Sequence, residues 1–167
     1  EAGVSNYSLE QMQRASKVIG LTSNQLPYSM LQRDIEDRII PWCMENHCGI
    51  LAYSPLQRGL LAGRITPDTR FAEGDSRPGT PYYRPRNISL ANAFLDRLRP
   101  LAAEKGANLA QLVLKWTLLR PGITVVLAGA RNGEQVASNA AAAGVELTTA
   151  DMDFINRELD SLTLDLD

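Results

Sequence analysis

Cysteine and histidine are scarce in this sequence, with two cysteines and a single histidine among 167 residues. All three fall within one segment, PWCMENHCGIL, where His47 stands between Cys43 and Cys48. One interpretation is a metal cluster, but such a site normally draws a second group of ligands from elsewhere in the chain, and none is available. We therefore predict no metal site and interpret the segment as a helix end with partly buried thiols in a reducing compartment.

An excess of charge of either sign is also lacking. The chain carries 17 basic and 19 acidic residues, and its isoelectric point is near 5.5. No run of lysine or arginine indicates a surface for nucleic acid or for an anionic membrane. Apolar runs fall short of the roughly 18 residues of a membrane helix, and the N-terminus does not resemble a signal peptide. These absences predict a cytoplasmic protein with neither nucleic acid nor membrane among its partners.

Strand and helix signals alternate along the chain. Strands are predicted at AGVS, SNQLPYS, GILAYS and ITVVLAG, the last of which is apolar throughout, as expected of a strand covered on both faces. The first helix is predicted from Ser8 to Gly20, with Ser8 and Gln11 as a capping box. A second lies within 33–49, where Pro41 kinks it or delays its start. Further helices are predicted at 89–106, 108–122, 132–144 and 149–162.

The alternation is typical of parallel α/β units joined by helical crossovers. Four strand positions fit either an open doubly wound sheet or part of a (β/α)8 barrel, which usually needs about 250 residues. The chain opens with EAGVSNYSLE, at the end of a strand. We expect either that the front of the fold lies elsewhere or that the fold is unusual. Residues 54 to about 88 are rich in proline and glycine and predict a long irregular loop, whose length indicates a function.

Polar residues collect at the C-terminal ends of the four predicted strands. They are Ser5 and Asn6, Asn24 and Gln25, Tyr53 and Ser54, and Gly129 with Arg131. In parallel α/β folds ligands bind at this edge of the sheet. Amides can recognise a carboxamide, a tyrosine can stack on a planar ring, and an arginine beside a helix N-terminus can hold a phosphate dianion. Each residue alone also fits a structural role, such as a cap or a rim aromatic, but their shared position favours a nucleotide-like ligand.

Several longer segments occur in order over practically the whole chain: GVSNYS, NQLPYSML, ILAYSPLQRGLLAGR and LVLKWTLLRPGITVVLAGARNGEQVASN. Together they resemble the C-terminal half of an aldo-keto reductase of the bacterial type related to potassium-channel β subunits. The resemblance implies an α/β fold, the C-terminal half of a (β/α)8 TIM barrel, with about four parallel strands, a long loop and an extra C-terminal helix. Residues 1–167 would form a single half-barrel domain, with a cofactor-covering loop at about 54–88.

The resemblance also implies NADP(H) bound in an extended pose across the C-terminal face. It assigns Ser5, Asn6 and Gln25 to the nicotinamide carboxamide and Tyr53 to the nicotinamide ring. The pyrophosphate would be followed by Ser54, Leu56, Arg58 and Gly59, with Arg64 and Arg77 beside it. The adenosine 2′-phosphate and the adenine would be surrounded by Gly129, Arg131, Gln135 and Asn139. Ser138 stands where the family usually has glutamate, which predicts weaker recognition of adenine, and Arg131 is expected to select NADP over NAD.

The Asp, Tyr, Lys and His tetrad of the family has no counterpart in this sequence, so the resemblance implies no catalytic residue here. We expect the cofactor-binding half of an oxidoreductase whose complete form reduces aldehydes or ketones to alcohols. The carbonyl substrate would bind only in a complete barrel. The alternative is a non-catalytic nucleotide-binding or interaction module built on a half-barrel. Because half a barrel leaves sheet edges and an apolar face uncovered, we also expect a homodimer or a complementary half-barrel partner.

Overall fold

The structure, a computed structural model, describes residues 1–167. Its strands are β1 (Ala2–Ser5), β2 (Leu21–Pro27), β3 (Gly49–Tyr53) and β4 (Ile123–Leu127). Its helices are α1 (Leu9–Ala15), α2 (Ile39–Glu45), α3 (Pro85–Glu104), α4 (Leu109–Leu118), α5 (Gly133–Ala141) and α6 (Thr149–Asp160). Short 3₁₀ segments lie at Gln57–Ala62, Pro81–Tyr83 and Ala142–Gly144.

The four strands form one sheet in the order β1-β2-β3-β4, and every neighbouring pair is parallel. Ser5 pairs with Gln25 in the first ladder, and Tyr53 pairs with Pro27 and with Leu127 in the next two. Since parallel strands all point the same way, their C-terminal ends meet at one edge of the sheet. The predicted parallel α/β architecture is confirmed.

The hydrophobic core lies on one face of this sheet. Leu26, Ile50 and Ala52 are buried there and belong to one cluster with Met12 of α1 and Trp116 of α4. Alternate strand residues point to the opposite face, as the pleat of a strand requires. The sheet is therefore covered by helices on one side only.

The strand ITVVLAG has a sequence typical of a strand covered on both faces, but one of its faces is open, as expected of half a barrel. Val125 is 40% exposed and Leu127 is 37% exposed, and no residue of β4 is fully buried. The apolar sequence suits this strand to packing against other apolar groups on both faces. No element of the chain packs on the face that carries Val125 and Leu127. The apolar open face that half a barrel would leave is present.

Several helix boundaries differ from the predictions because of proline and local capping. The capping box of Ser8 and Gln11 is present, but α1 ends at Ala15 instead of Gly20. Helix α2 begins only at Ile39, which places Pro41 in its first turn, where proline is tolerated. Pro85 occupies the first position of α3, so this helix begins four residues before the predicted Ser89 and shortens the long loop. None of the helices is both long enough and apolar enough to cross a membrane.

Cys43 and Cys48 are both free thiols, and both are buried. Burial, with a smaller contribution from Cys48, raises the pKa of the Cys43 thiol to about 12. Burial also raises the pKa of Cys48. The two thiols are thus protonated and more deeply buried than the sequence predicted.

Candidate functional site

The ends of β1, β2 and β3 bring four of the predicted site residues together. The Tyr53 hydroxyl donates a 2.9 Å hydrogen bond to Oδ1 of Asn6, and Nδ2 of Asn6 donates to the Ser5 hydroxyl at 3.2 Å. The Ser5 hydroxyl in turn donates to the backbone carbonyl of Gln25 at 3.2 Å. Ser5 and Asn6 are exposed, while Gln25 and Tyr53 are half-buried, so the cluster is open to a ligand.

The backbone at Asn6 explains how its side chain reaches Tyr53. Asn6 has a φ of 58°, in the left-handed region that asparagine tolerates better than most residues. Its backbone N–H donates to the Gln25 carbonyl at 2.9 Å, which extends the β1–β2 ladder by one step. The chain thus reverses directly after β1 while remaining attached to β2, and the Asn6 side chain crosses the end of β2.

The turn after β3 has an unusual backbone conformation. Ser54, Gln57 and Arg58 have φ values of 55°, 45° and 52°, and Gly59 has a φ of 101°. Two local hydrogen bonds close the turn, from Gln57 N to the Ser54 carbonyl at 2.8 Å and from Gly59 N to the Leu56 carbonyl at 2.9 Å. Three non-glycine residues in the left-handed region represent backbone strain of about 1–2 kcal/mol each, which the surrounding contacts must offset.

Part of the long loop folds over this turn. The Arg58 guanidinium donates to the Ser76 hydroxyl at 2.7 Å, and Arg77 donates to the Arg58 carbonyl at 3.4 Å. Arg77 is itself paired with Asp75, with Nε donating to Oδ1 at 3.0 Å, and lies over the ring of Phe71 at 4.7 Å. Hydrogen bonds from Arg77 lower the pKa of Asp75 to about 2. The positive charge of Arg77 is therefore already balanced, whereas Arg58 is exposed with a hydroxyl as its partner.

Arg64, the other arginine predicted beside the pyrophosphate, is exposed and follows Gly63, whose φ is 68°. No hydrogen bond joins it to the turn residues 54–59. The structure thus places Arg58 and Arg77 together and leaves Arg64 apart from them.

The remaining predicted residues lie between β4 and the first turns of α5. Asn132 caps α5 by accepting from Gln135 N at 2.9 Å, and Oε1 of Gln135 accepts from Arg131 N at 2.8 Å. Nδ2 of Asn139 donates to the Gly129 carbonyl at 3.2 Å. These bonds close the loop on the helix start and leave the Arg131 side chain exposed beside the positive end of the helix.

Ser138 connects α5 to α4. Its hydroxyl accepts from Nδ2 of Asn108 at 3.2 Å, and its carbonyl accepts from Nε2 of Gln111 at 3.1 Å. Ser138 is thus engaged in packing two helices together, a role that its difference from the family pattern did not indicate.

Residues that the sequence reasoning missed hold the turn after β3 from behind. The Ser29 hydroxyl donates to Oε1 of Gln57 at 2.9 Å, and the Tyr83 hydroxyl donates to the Gln57 carbonyl at 2.7 Å. All three residues are buried. Ser29 lies 28 positions before Gln57 and Tyr83 lies 26 positions after it, so no local signal could have linked them.

A wide cavity of about 780 Å³ lies away from these groups, near the N-terminal ends of the strands, where Ala2, Leu21, Trp42 and His47 line it. It brings together none of the predicted site residues. The polar edge at the C-terminal ends is therefore the better candidate for a ligand site.

Comparison with known proteins identifies the family of this chain. The model of the aldo/keto reductase family matches residues 1–159. An uncharacterised oxidoreductase of Mycobacterium tuberculosis is 34% identical over 156 residues, which are 92% of this chain and 47% of that protein. The NADH-specific methylglyoxal reductase of Escherichia coli is 29% identical over 160 residues, which are 96% of this chain and 48% of that protein.

Among solved structures, a glycerol dehydrogenase from Gluconobacter oxydans is 31% identical and has a TM-score of 0.89, over 96% of this chain and 49% of that one. The chain thus spans about half the length of the relatives it matches. Its four parallel strands with helices form half of a (β/α)8 barrel, as predicted. The chain belongs to the aldo/keto reductase family, whose members generally use a nicotinamide cofactor.

Proposed function

We propose that this chain is the C-terminal, NADP(H)-binding half of an aldo-keto reductase whose complete form reduces aldehydes or ketones to alcohols. The observation that carries the proposal is the shared edge of the sheet. Amide groups, an aromatic ring, exposed arginines and a helix N-terminus all lie at the C-terminal ends of consecutive parallel strands. An extended dinucleotide needs these groups in a row, because its ring, its phosphates and its second nucleoside differ in chemistry.

The nicotinamide end would lie at β1 to β3. Ser5, Asn6 and Gln25 offer donors and acceptors that suit a carboxamide, and the half-buried ring of Tyr53 offers a flat apolar surface. A reduced nicotinamide supplies a hydride when it is bound. The role of these residues is to orient the ring and to exclude water from one of its faces.

The pyrophosphate would lie along the turn that includes Ser54, Leu56, Arg58 and Gly59. Arg58 is the charged group that this turn exposes, and Arg64 and Arg77 follow in the long loop. Asp75 balances Arg77 in the free protein, so a phosphate would compete with that carboxylate for the same guanidinium.

The 2′-phosphate and the adenine would lie at the start of α5, near Gly129, Arg131, Gln135 and Asn139. The exposed guanidinium of Arg131 stands next to a capped helix N-terminus, which suits a dianion. This favours NADP(H) over NAD(H), although one relative is an NADH-specific methylglyoxal reductase. The distinction depends on Arg131 alone in our proposal.

The 167 residues supply no proton donor for a carbonyl oxygen in this arrangement. The Tyr53 hydroxyl already donates to Asn6, and Tyr83 donates to a buried carbonyl. General acid catalysis needs a donor within hydrogen-bond reach of the substrate. We therefore propose that this chain alone binds the cofactor without reducing a carbonyl.

A second candidate function is a non-catalytic nucleotide-binding or interaction module. The observation that favours it is the open sheet face with Val125 and Leu127, which would suit either a second copy or a complementary half-barrel. Restored carbonyl reduction after addition of a separately produced first half would favour the reductase over the module.

The proposed function is tested by titrating the 167-residue chain with NADPH and NADH, following cofactor fluorescence. Arg131→Ala should weaken NADPH binding about 10- to 100-fold, as expected for loss of a charged hydrogen bond, while NADH binding stays the same. Arg14→Ala is the matched control, because Arg14 is an exposed arginine in the last turn of α1. No saturable binding by the unmodified chain would refute the proposal.

A further inference from the structure

We infer that Ser29 and Tyr83 are positioning residues that preset the turn Ser54–Gly59 for the pyrophosphate by holding Gln57 from behind. The inference rests on the proposed function, because the turn matters only if a cofactor phosphate lies along it. Neither residue touches the proposed ligand position, and neither was singled out by the sequence.

The contacts define a bracket on Gln57, one hydrogen bond to its side chain and one to its backbone. Ser29 is fully buried, Gln57 is 6% exposed and Tyr83 is 5% exposed. The Ser29 hydroxyl accepts from Leu31 N at 3.2 Å, so its own proton is available for Oε1 of Gln57 at 2.9 Å. The Tyr83 hydroxyl donates to the Gln57 carbonyl at 2.7 Å. Both bonds are shielded from water, where an unpaired partner is costly.

The bracket acts on a buried residue of the turn. Gln57 is buried and the next residue, Arg58, is exposed, so the two side chains leave the backbone in different directions. Both residues have positive φ, at 45° and 52°. A free turn would leave the left-handed region, because L-residues other than glycine are disfavoured there. Fixing Gln57 therefore fixes where Arg58 and Gly59 lie.

Tyr83 also joins the turn to the loop that folds over it. Its ring meets Phe71 edge to face with 5.6 Å between centroids, and Phe71 lies under the Arg77 guanidinium. The same tyrosine thus holds the turn through its hydroxyl and the covering loop through its ring. Burial raises the pKa of Tyr83, although Arg77 and Arg58 oppose this, so the hydroxyl remains a donor at neutral pH.

The test compares Ser29→Ala and Tyr83→Phe with Tyr82→Phe as the matched control. Tyr82 is the neighbouring tyrosine, and its hydroxyl donates to the Leu31 carbonyl at 3.3 Å instead of to Gln57. Two ligands are titrated: NADPH, which spans the turn, and adenosine 2′-phosphate, which would reach only the Arg131 region. Amide hydrogen exchange of residues 54–61 is measured in the ligand-free proteins.

Each bracket variant should weaken NADPH binding about 3- to 10-fold, the effect of one hydrogen bond of ordinary strength. Binding of adenosine 2′-phosphate should stay the same, and amide exchange of the turn should accelerate, while Tyr82→Phe changes neither. Equal losses for both ligands would indicate general destabilisation and overturn the inference, as would unchanged NADPH affinity.

Failure of the proposed function has a different signature. If the unmodified chain binds neither ligand, the proposed cofactor site is refuted together with the purpose of the bracket. If the unmodified chain binds both ligands and the bracket variants match it in affinity and exchange, the cofactor site stands and only the inference fails.

Discussion

The hydroxyl of Tyr53 donates a 2.9 Å hydrogen bond to Oδ1 of Asn6, which joins the ends of β3 and β1 across the intervening strand β2. The bond orients the aromatic ring and the amide relative to each other. Both groups are assigned to the same end of the cofactor in our proposal. The geometry of that end therefore depends on a contact between residues 47 positions apart.

Removal of the Asn6 side chain should reduce NADPH binding with little effect on folding. Asn6→Gly is the informative variant, because glycine keeps the φ of 58° without strain, whereas alanine would add a backbone cost. We expect about tenfold weaker NADPH binding, from loss of one carboxamide contact and of the Tyr53 orientation. The midpoint of urea unfolding should shift little, since Asn6 is exposed. Cofactor fluorescence titration and urea unfolding measure the two effects, and unchanged affinity would contradict the assignment of Asn6.

The sequence was sufficient for the parts of this fold that are set locally. The order of strands and helices, the capping box at Ser8 and the polar ends of the strands follow from hydrophobic periodicity and from residue type. The segment 33–49 leaves open whether Pro41 kinks helix α2 or delays its start, and the structure shows the delayed start, at Ile39. The bracket around Gln57 was missed, because its partners come from distant loops. The open face of β4 follows from the half-barrel resemblance and not from the strand itself, because an apolar strand indicates that it prefers burial and does not indicate by what.

Asp75 should oppose cofactor binding. Its carboxylate pairs with Arg77 beside the turn proposed for the pyrophosphate. Asp75→Asn would remove a negative charge near the phosphates and release the guanidinium, so NADPH should bind about threefold more tightly, the scale of an ion pair near the protein surface. The gain should shrink at high salt, because charge screening weakens such interactions. Titrations at low and high salt measure this effect.

Two outcomes would contradict this role of Asp75. One is weaker NADPH binding by Asp75→Asn, which would mean that the pair mainly holds the loop in place. The other is a titration of Asp75 that changes the NADPH affinity of the unmodified chain between pH 5 and 8. Hydrogen bonds from Arg77 lower the pKa of Asp75 to about 2, so its charge should be constant over this range. Asp68→Asn, an exposed carboxylate earlier in the same loop, serves as the control.

Glu36 should stabilise the fold at neutral pH through contacts with two arginines. Its carboxylate accepts from Arg33 at 2.8 Å, from Arg120 at 3.1 Å and from the Tyr28 hydroxyl. Burial alone would raise the pKa of Glu36, but the hydrogen bonds from Arg33 and Tyr28 and the charge of Arg120 outweigh it, so the pKa is lowered from its ordinary 4.5. Because the folded-state pKa is the lower one, the stabilisation is present above pH 4.5 and is lost as the pH falls through the folded-state value.

Glu36→Gln should therefore reduce the free energy of unfolding at pH 7 by about 1.5–3 kcal/mol, the range for hydrogen bonds to charged groups. The difference from the unmodified chain should narrow as the pH falls below 4.5 and through the lowered folded-state pKa of Glu36, because the carboxyl group is then protonated and neutral, like the amide. Urea unfolding at several pH values measures this difference in the free energy of unfolding. Asp37→Asn, which changes the exposed neighbouring carboxylate, should have little effect. A constant difference across the pH range would show that packing, and not charge, is responsible.

The open face of the sheet should make this chain associate. Val125 and Leu127 are exposed on a strand that has one unpaired edge, and such edges and apolar faces pair readily with other chains. Val125→Thr combined with Leu127→Thr keeps the strand preference and removes much of the apolar surface, so it should reduce self-association at least several-fold in sedimentation velocity.

Leu166→Ser is the control, because Leu166 is similarly exposed but lies in the C-terminal tail. An unmodified chain that sediments as a single monomer and binds no hydrophobic dye would contradict both the homodimer and the complementary half, since the face would then need no cover.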